Sequence, residues 1–333
     1  MTALRIAIAL LVLSALACSS AYAAPPGNYA EREDVRQFIA EMVEMHGFKE
    51  RELRRLFSRA RYQPAIIRAM TPPPEAPVKS WQGYRSMFVS RDRIDAGARF
   101  RTRHAATLER AEREFGVPAD IIVAIIGVET VYGRNMGSYR ILDALSTLAF
   151  DFPRRSEFFR SELENFLLYA REASIDVLAA QGSYAGAFGM PQFMPGTFRR
   201  FAVDFDGDGQ RDLHASPDDA IGSVANFLKA HGWEAGQPIA ARAQVNGESY
   251  RKLIDAGIKP LHRIADLPAY GVGAAVPLPA EAWCALVELE TPGQSPEYWV
   301  GLQNFYALTR YNRSSFYAIA VVELAREIAR AAP

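Results

Sequence analysis

The chain has 333 residues, 38 basic and 38 acidic side chains, and a hydrophobic share of 49%. Balanced charge excludes the strongly basic profile of a nucleic-acid or anionic-membrane binder, and the apolar share is ample for a large core. Its two cysteines, Cys18 and Cys284, are too few for a disulfide framework.

At the N-terminus, Arg5 precedes the uncharged run 6–17 and then Ala21-Tyr22-Ala23, a small-x-small cleavage pattern. Residues 1–23 therefore read as an export signal, and the mature chain as a soluble periplasmic protein. A membrane span needs about 20 apolar residues, and nothing later in the chain approaches one. Cys18, after Ala15-Leu16-Ala17, offers an alternative: cleavage before it would create an outer-membrane lipoprotein, the one route to membrane contact. If cleavage follows Ala23, Cys284 stands alone in the apolar stretch 282–287 and reads as a buried, inert thiol.

Val35, Phe38, Ile39 and Met42 recur at helical spacing, Gly47 punctuates, and Leu53, Leu56 and Phe57 resume before Pro64. Two short amphipathic helices are predicted there. The nearby arginines 51, 54, 55, 59 and 61 are interleaved with acids and read as a solvated face. Residues 71–77 hold four prolines and form a semi-rigid connector. A helical stretch over 91–115 ends at Gly116, and Pro118 then stands at a first-turn position. Residues 121–128 are apolar on every side, which requires a buried helix. Glu129 follows directly, and Gly133 closes the element. Phe159, Leu163, Phe166 and Ala170 mark another amphipathic helix; a Gly-rich loop spans 182–196 and an acidic loop 204–212. Ser216 and Pro217 have cap and first-turn chemistry for a helix whose face is Ile221, Val224, Ala225 and Leu228. From about 236 to 305 the texture changes, and the runs 283–289 and 298–305 read as strands. A last helix carries Tyr317, Val321, Leu324 and Ile328 on one face, and there are no internal repeats.

A carboxylate at the end of a buried helix is partly desolvated, which raises its pKa and suits it to general acid work on a glycosidic oxygen. The same position also fits a helix cap, or an ion pair with Arg134. From position alone the two readings stand equal.

Three long motifs resemble the membrane-bound lytic murein transglycosylase B family. They are the segment 121–133 ending in Glu129-Thr130-Val131-Tyr132-Gly133, the loop 182–195 (GSYAGAFGMPQFMP), and the segment 309–318 (TRYNRSSFYA). The resemblance runs from about Asp34 to Arg330. It implies a mainly α (α+β) fold: a lysozyme-like helical catalytic core over 81–235, preceded by an N-terminal helical region over 24–80. A small β-containing module over 236–305 follows, and the groove motif and closing helix of 306–333 pack back on the core. It also implies cleavage of the β-1,4 bond between N-acetylmuramic acid and N-acetylglucosamine without water, giving 1,6-anhydromuramic ends, with Glu129 acting first as acid and then as base. A hydrolytic glycosidase uses two carboxylates, and no second acid stands in a comparable setting; Asp143 and Asp151 read as surface or capping groups. By position in the motifs, Ser183 and Gln192 would hydrogen-bond the sugar, Tyr311 and Asn312 would line the groove, and Tyr84 would stand at the cleft. Tyr317 fits groove or core, and Phe227 stands where a family tyrosine is expected.

The residues Asp204, Asp206, Asp208, Gln210 and Asp212 match positions 1, 3, 5, 7 and 9 of an EF-hand calcium loop, with Gly209 at position 6. Position 12 is Ala215 instead of Glu. The resemblance implies a lengthened loop over 204–219 whose last ligand is Asp219, and a structural calcium ion; the alternative is a metal-free Asp-Gly turn. The histidines 46, 104, 214, 231 and 262 lack zinc spacing, and no organic cofactor is expected. The expected partners are peptidoglycan strands, with envelope proteins as further candidates and no nucleic acid. A hydrolytic muramidase and a non-catalytic, calcium-stabilised glycan binder are the competing readings.

Overall fold

The computed structural model describes residues 28–71 and 80–331. The export signal, Cys18 and the proline connector beyond Thr71 lie outside the described residues.

Helices α1 (Glu33–His46) and α2 (Glu50–Phe57) bury Val35, Phe38, Ile39, Met42, Leu53 and Phe57, as their spacing predicts. A third helix, α3 (Pro64–Met70), follows where the sequence pattern was read as ending. Pro64 starts it, because proline's missing N–H costs nothing in a first turn. The next element is α4 (Trp81–Phe88). Residues 91–115 then form two helices where one was expected, α5 (Arg91–Arg103) and α6 (Ala105–Phe115). At the break, the His104 ring packs on Phe100 at 4.5 Å. The bend lets Phe100 lie against Tyr132 while Leu108 and Ala111 are buried on a different side.

The centre of the body is α7 (Ala119–Thr130), buried at every position from Ile121 to Val128. A helix apolar all round has no solvent face to offer, so other helices must surround it. After it come the two-residue strand β1 (Tyr139–Arg140), α8 (Ile141–Asp151), α9 (Ser156–Glu172) and β2 (Gln181–Gly182), which pairs antiparallel with β1. The rings of Phe38, Phe57 and Phe150 meet edge to face and fasten the N-terminal helices to α8. Next are α10 (Pro195–Phe201) and α11 (Pro217–Ala230). The Ser216 hydroxyl caps α11 by accepting from Asp219 N at 3.2 Å, and Ile221, Val224, Ala225 and Leu228 are fully buried.

The small module is an antiparallel sheet of β3 (Ala240–Val245), β4 (His262–Arg263), β5 (Val272–Ala274), β6 (Trp283–Leu289) and β7 (Glu297–Gly301), in the order β4-β6-β7-β3-β5. A short helix, α12 (Arg251–Asp255), covers one face. Alternation along β6 serves two cores: Cys284 and Leu286 pack with Leu253, Leu267 and Val300, whereas Val287 and Leu289 join Trp299 in the helical body. Burial pushes the Cys284 thiol up to about 11, which keeps it unreactive. The strand expected over 298–305 stops at Gly301, and α13 (Gln303–Tyr311) begins. Phe305 belongs to the helical period of α13 with Leu308, all buried, and Asn304 anchors the turn by donating to the carbonyls of Glu234 and Gln237.

The closing helix α14 (Ser315–Ala331) lays Tyr317, Val321, Leu324 and Ile328 into the core, beside α7, α5 and α4. Its buried Glu323 pairs with Arg85 of α4 and, at 3.0 Å, with Arg242 of β3. One carboxylate thus joins the sheet to two helices that carry site tyrosines.

Candidate active site

Glu129 occupies the last turn of α7 and keeps partial exposure between buried Val128 and Thr130. Just past it, Val131, Tyr132 and Gly133 all have positive φ, at 53°, 61° and 83°. A β-branched residue in that region is strained, so the turn persists only because its surroundings determine it. Val131 N bonds Gly127 O at 3.1 Å and Tyr132 N bonds Ile126 O at 3.3 Å. The Tyr132 hydroxyl donates to Arg93 O at 2.9 Å and fills the space above Gly97 and Gly127, where a Cβ on either would lie 2.4 Å from it. The chain is thereby turned sharply, leaving the Glu129 carboxyl at the lip of the core.

Among the described residues, the hydrogen-bond partner of Glu129 is the Tyr317 hydroxyl, which donates to Oε1 at 2.8 Å. Arg134, the candidate ion-pair partner, is exposed and directs its Nε to Val131 O. Burial pushes the Glu129 carboxyl up to about 7, against the pull of the tyrosyl bond, which favours the ionised form. The charge of Glu129 acts in turn on three phenols. Burial and that charge push Tyr84 up to about 12, and Tyr311 and Tyr317 well above the ordinary tyrosine value. All three remain protonated, and of them Tyr317 donates to the acid.

Tyr317 belongs to the core, at 1% exposed, yet it stacks on Tyr311 at 6.2 Å and its hydroxyl touches the Glu129 carboxylate. Tyr311 donates to Pro191 O at 2.5 Å, tying α13 to the Gly-rich loop. Phe227 packs edge-on against Tyr311 at 4.9 Å, so it buttresses the tyrosine without supplying a hydroxyl. Asn312 is exposed beside it. In the Gly-rich loop, Ser183 Oγ accepts from Ala187 N at 3.1 Å, and the Gln192 amide donates to Met136 O and Gly189 O at 3.1 and 3.0 Å. Both side chains shape the loop they belong to. A cavity of about 650 Å³ lined by Tyr169, Phe188 and Arg211 lies elsewhere, and Glu129 does not line it.

Asp143 and Asp151 are neither surface nor capping groups. Asp143 is 5% exposed, accepts from Arg61 N at 2.9 Å and pairs with Arg140 at 2.6 Å. Asp151 accepts from Tyr29 Oη at 2.5 Å and pairs with Arg32 at 2.6 Å. Each is a fully partnered structural acid. Thr130, beside Glu129 in its motif, has a buried hydroxyl that donates to Met190 O at 2.8 Å and accepts from Gly133 N at 3.0 Å.

In the acidic loop, carboxylate oxygens of Asp204, Asp206 and Asp219 converge to within 4.8 Å of one another. Asp219 is buried and accepts from the backbone N–H groups of Phe205, Asp206 and Asp212. The Asp208 carboxylate is turned to Gln210 N at 2.7 Å and does not join the group, and Gln210 is exposed. Three convergent carboxylate oxygens are the donor type that a hard cation takes.

Residues 30–326 match the family model described as Transglycosylase SLT domain. Over 313 residues the chain is 43% identical to the membrane-bound lytic murein transglycosylase B of Escherichia coli K12, covering 92% of this chain and 85% of that protein. The fold superposes on the E. coli lytic transglycosylase Slt35 in complex with calcium with a TM-score of 0.81, at 42% identity, over 91% of this chain and 95% of that one. It also superposes on Pseudomonas aeruginosa SltB3 in complex with NAG-anhNAM-pentapeptide with a TM-score of 0.77, at 32% identity, over 89% and 79%.

Proposed function

The chain belongs to the transglycosylase SLT domain family and is a peptidoglycan lytic transglycosylase, and from that premise we propose that Glu129 alone carries both proton transfers of a non-hydrolytic cleavage. The carrying observation is an acid raised to about 7 by burial, whose hydrogen-bond partner is a neutral hydroxyl. A group poised near neutrality gives and takes a proton with comparable ease.

In the first step the Glu129 carboxyl gives its proton to the oxygen of the β-1,4 bond as the muramic C1–O bond breaks. The 2-acetamido carbonyl oxygen of the same sugar bonds to C1 and carries the positive charge as an oxazolinium. In the second step the Glu129 carboxylate takes the proton of the muramic 6-hydroxyl, whose oxygen bonds to C1 as the acetamide is released. A 1,6-anhydro ring results, Glu129 is protonated again, and no water is consumed. Tyr317 steadies the carboxylate in the ionised interval through its 2.8 Å bond. Among the described residues, no second carboxylate of the kind a hydrolase uses is a hydrogen-bond partner of Glu129. The ligand of SltB3, a NAG-anhNAM-pentapeptide, is the product type this route generates.

Tyr84, Tyr311, Asn312, Ser183 and Gln192 complete the glycan groove in this reading. Residues 81–235 are the catalytic core and 236–305 a β-module; 306–333 close the groove. The 204–219 loop would hold calcium through the converging oxygens of Asp204, Asp206 and Asp219, and Asp208 would join only by giving up its bond from Gln210 N. When bound, calcium would supply positive charge that holds these three acids together, with no part in proton transfer. Export to the periplasm, with lipidation at Cys18 as the alternative, places the enzyme beside its polymer.

Mass spectrometry of digested murein sacculi tests the chemistry. Glycan ends lighter than reducing ends by one water are expected, and exclusively reducing ends would make the enzyme a hydrolase.

A further inference from the structure

We infer that Thr130 is a positioning residue for this reaction: its hydroxyl clamps the catalytic end of α7 to the Gly-rich loop, so that the acid and the sugar-binding loop are held as one rigid unit. The inference rests on Glu129 being the acid.

A threonine inside a helix ordinarily turns its hydroxyl to the carbonyl four residues earlier. For Thr130 that carbonyl is Ile126 O, at 3.3 Å. The nearer acceptor is Met190 O at 2.8 Å, sixty positions away in sequence. The hydroxyl keeps its local acceptor within reach but lies closer to the long-range one, in a site with no solvent exposure. The same oxygen accepts from Gly133 N at 3.0 Å, and the Thr130 carbonyl accepts from Asn135 N at 2.9 Å. One side chain therefore fixes the start of the left-handed turn at Val131 and Tyr132 and its end at Gly133.

The link continues past Met190. Met190 N donates to Leu213 O at 2.7 Å, and the Gly189 backbone lies so close to Leu213 that an added Cβ would sit 2.7 Å from the Leu213 Cβ. Leu213 is 1% exposed and belongs to the acidic loop. The hydrogen bonds of the Met190 peptide groups thus join the end of α7 on one side to the acidic loop on the other. Glu129 directly precedes this clamp, and Ser183 and Gln192 lie in the segment it grips. Reaction geometry held to a fraction of an ångström is worth orders of magnitude in rate.

Thr130→Val keeps the shape and removes the hydroxyl; Thr130→Ser keeps the hydroxyl and removes the methyl. On murein glycan, Val should lower kcat about ten-fold with KM within about two-fold of wild type. Its alkaline pH limb should move to lower pH as water reaches the loosened carboxylate. Ser should restore both to near wild type. A Val variant with wild-type kcat and pH limb, or a Ser variant as impaired as Val, would overturn the inference. Should thermal melts show that Val does not fold, Thr130→Cys, of similar size but a weak donor, should fall between Ser and Val; wild-type kcat in Cys would equally overturn it. Glu129→Gln measured in parallel separates the two claims. Activity in Gln sinks the assignment of the acid, whereas a dead Gln beside an unaffected Val sinks only the clamp.

Discussion

Two sets of carboxylates in this molecule live under opposite conditions. Glu129 is solitary, desolvated and bonded to a neutral hydroxyl, and its carboxyl rises to about 7. Asp204, Asp206 and Asp219 crowd together, two of them exposed, and their oxygens are occupied by backbone N–H groups and the Ser216 hydroxyl. In the second set the Ser216 hydroxyl lowers the Asp206 pKa whereas burial raises that of Asp219, and the converging oxygens make the proposed cation site; a greasy helix end raises the first toward neutrality, which suits it to the proposed proton transfers. The functional group is common to both, and its surroundings decide its work.

The harshest way to break this contrast is Glu129→Gln, which retains size and loses the proton. Turnover of murein should fall at least about a thousand-fold while glycan binding measured by calorimetry persists; retained turnover would mean the acid lies elsewhere. Calcium probes the other half. Adding the ion at about a hundred times its Kd should stabilise the fold by roughly 2.7 kcal/mol, read as a rise in Tm that Asp219→Ala abolishes. An unmoved transition would leave the acidic loop as a plain turn.

The contrast also sets a pH dependence of stability. Because the folded-state pKa of Glu129 lies above its ordinary value, the native state binds the extra proton, and the wild type loses stability as pH rises toward and through about 7. Glu129→Gln escapes that loss. It should be more stable than wild type at pH 8 by on the order of 2 kcal/mol, with little difference at pH 4; equal melting at pH 8 would contradict a desolvated acid. The gentlest probe is Tyr317→Phe, which removes the one bond that favours the carboxylate. Glu129 should titrate higher, so the alkaline limb of activity should move to higher pH, and kcat should drop by about ten-fold as the base step weakens. A limb that moved down would contradict the assigned role of the bond.

Features set by local pattern were legible in the chain. The all-apolar run that buries α7, the abrupt acid at its end, and the Ser216-Pro217 start of α11 all follow from residues a few positions apart. Features set by distant partners were not. Asp143 looked like a helix-start acid because Arg61 and Gln63, which engage it, stand some eighty positions away. The bond of Thr130 has no local signal either, because Met190 is equally invisible from its neighbourhood. Phe305 misled for another reason: apolar residues from two periods met end to end, and only the helix that claims Leu308 resolves them. Ser183 and Gln192 are expected from the motif as sugar contacts, and the structure shows what sequence could not, that each bonds within its own loop.

The slot that receives the Tyr132 hydroxyl makes the site asymmetric toward change. It exists because Gly97 and Gly127 carry no side chain, each leaving 2.4 Å where ordinary contact begins at 3.4 Å. Trimming a neighbour leaves that slot open, but enlarging either glycine by a single methyl evicts the tyrosine and unseats the turn beside Glu129. For anyone redesigning this enzyme, Gly97 of α5 and Gly127 of α7 are therefore positions to leave alone, because one methyl at either reaches the acid through the tyrosine it displaces.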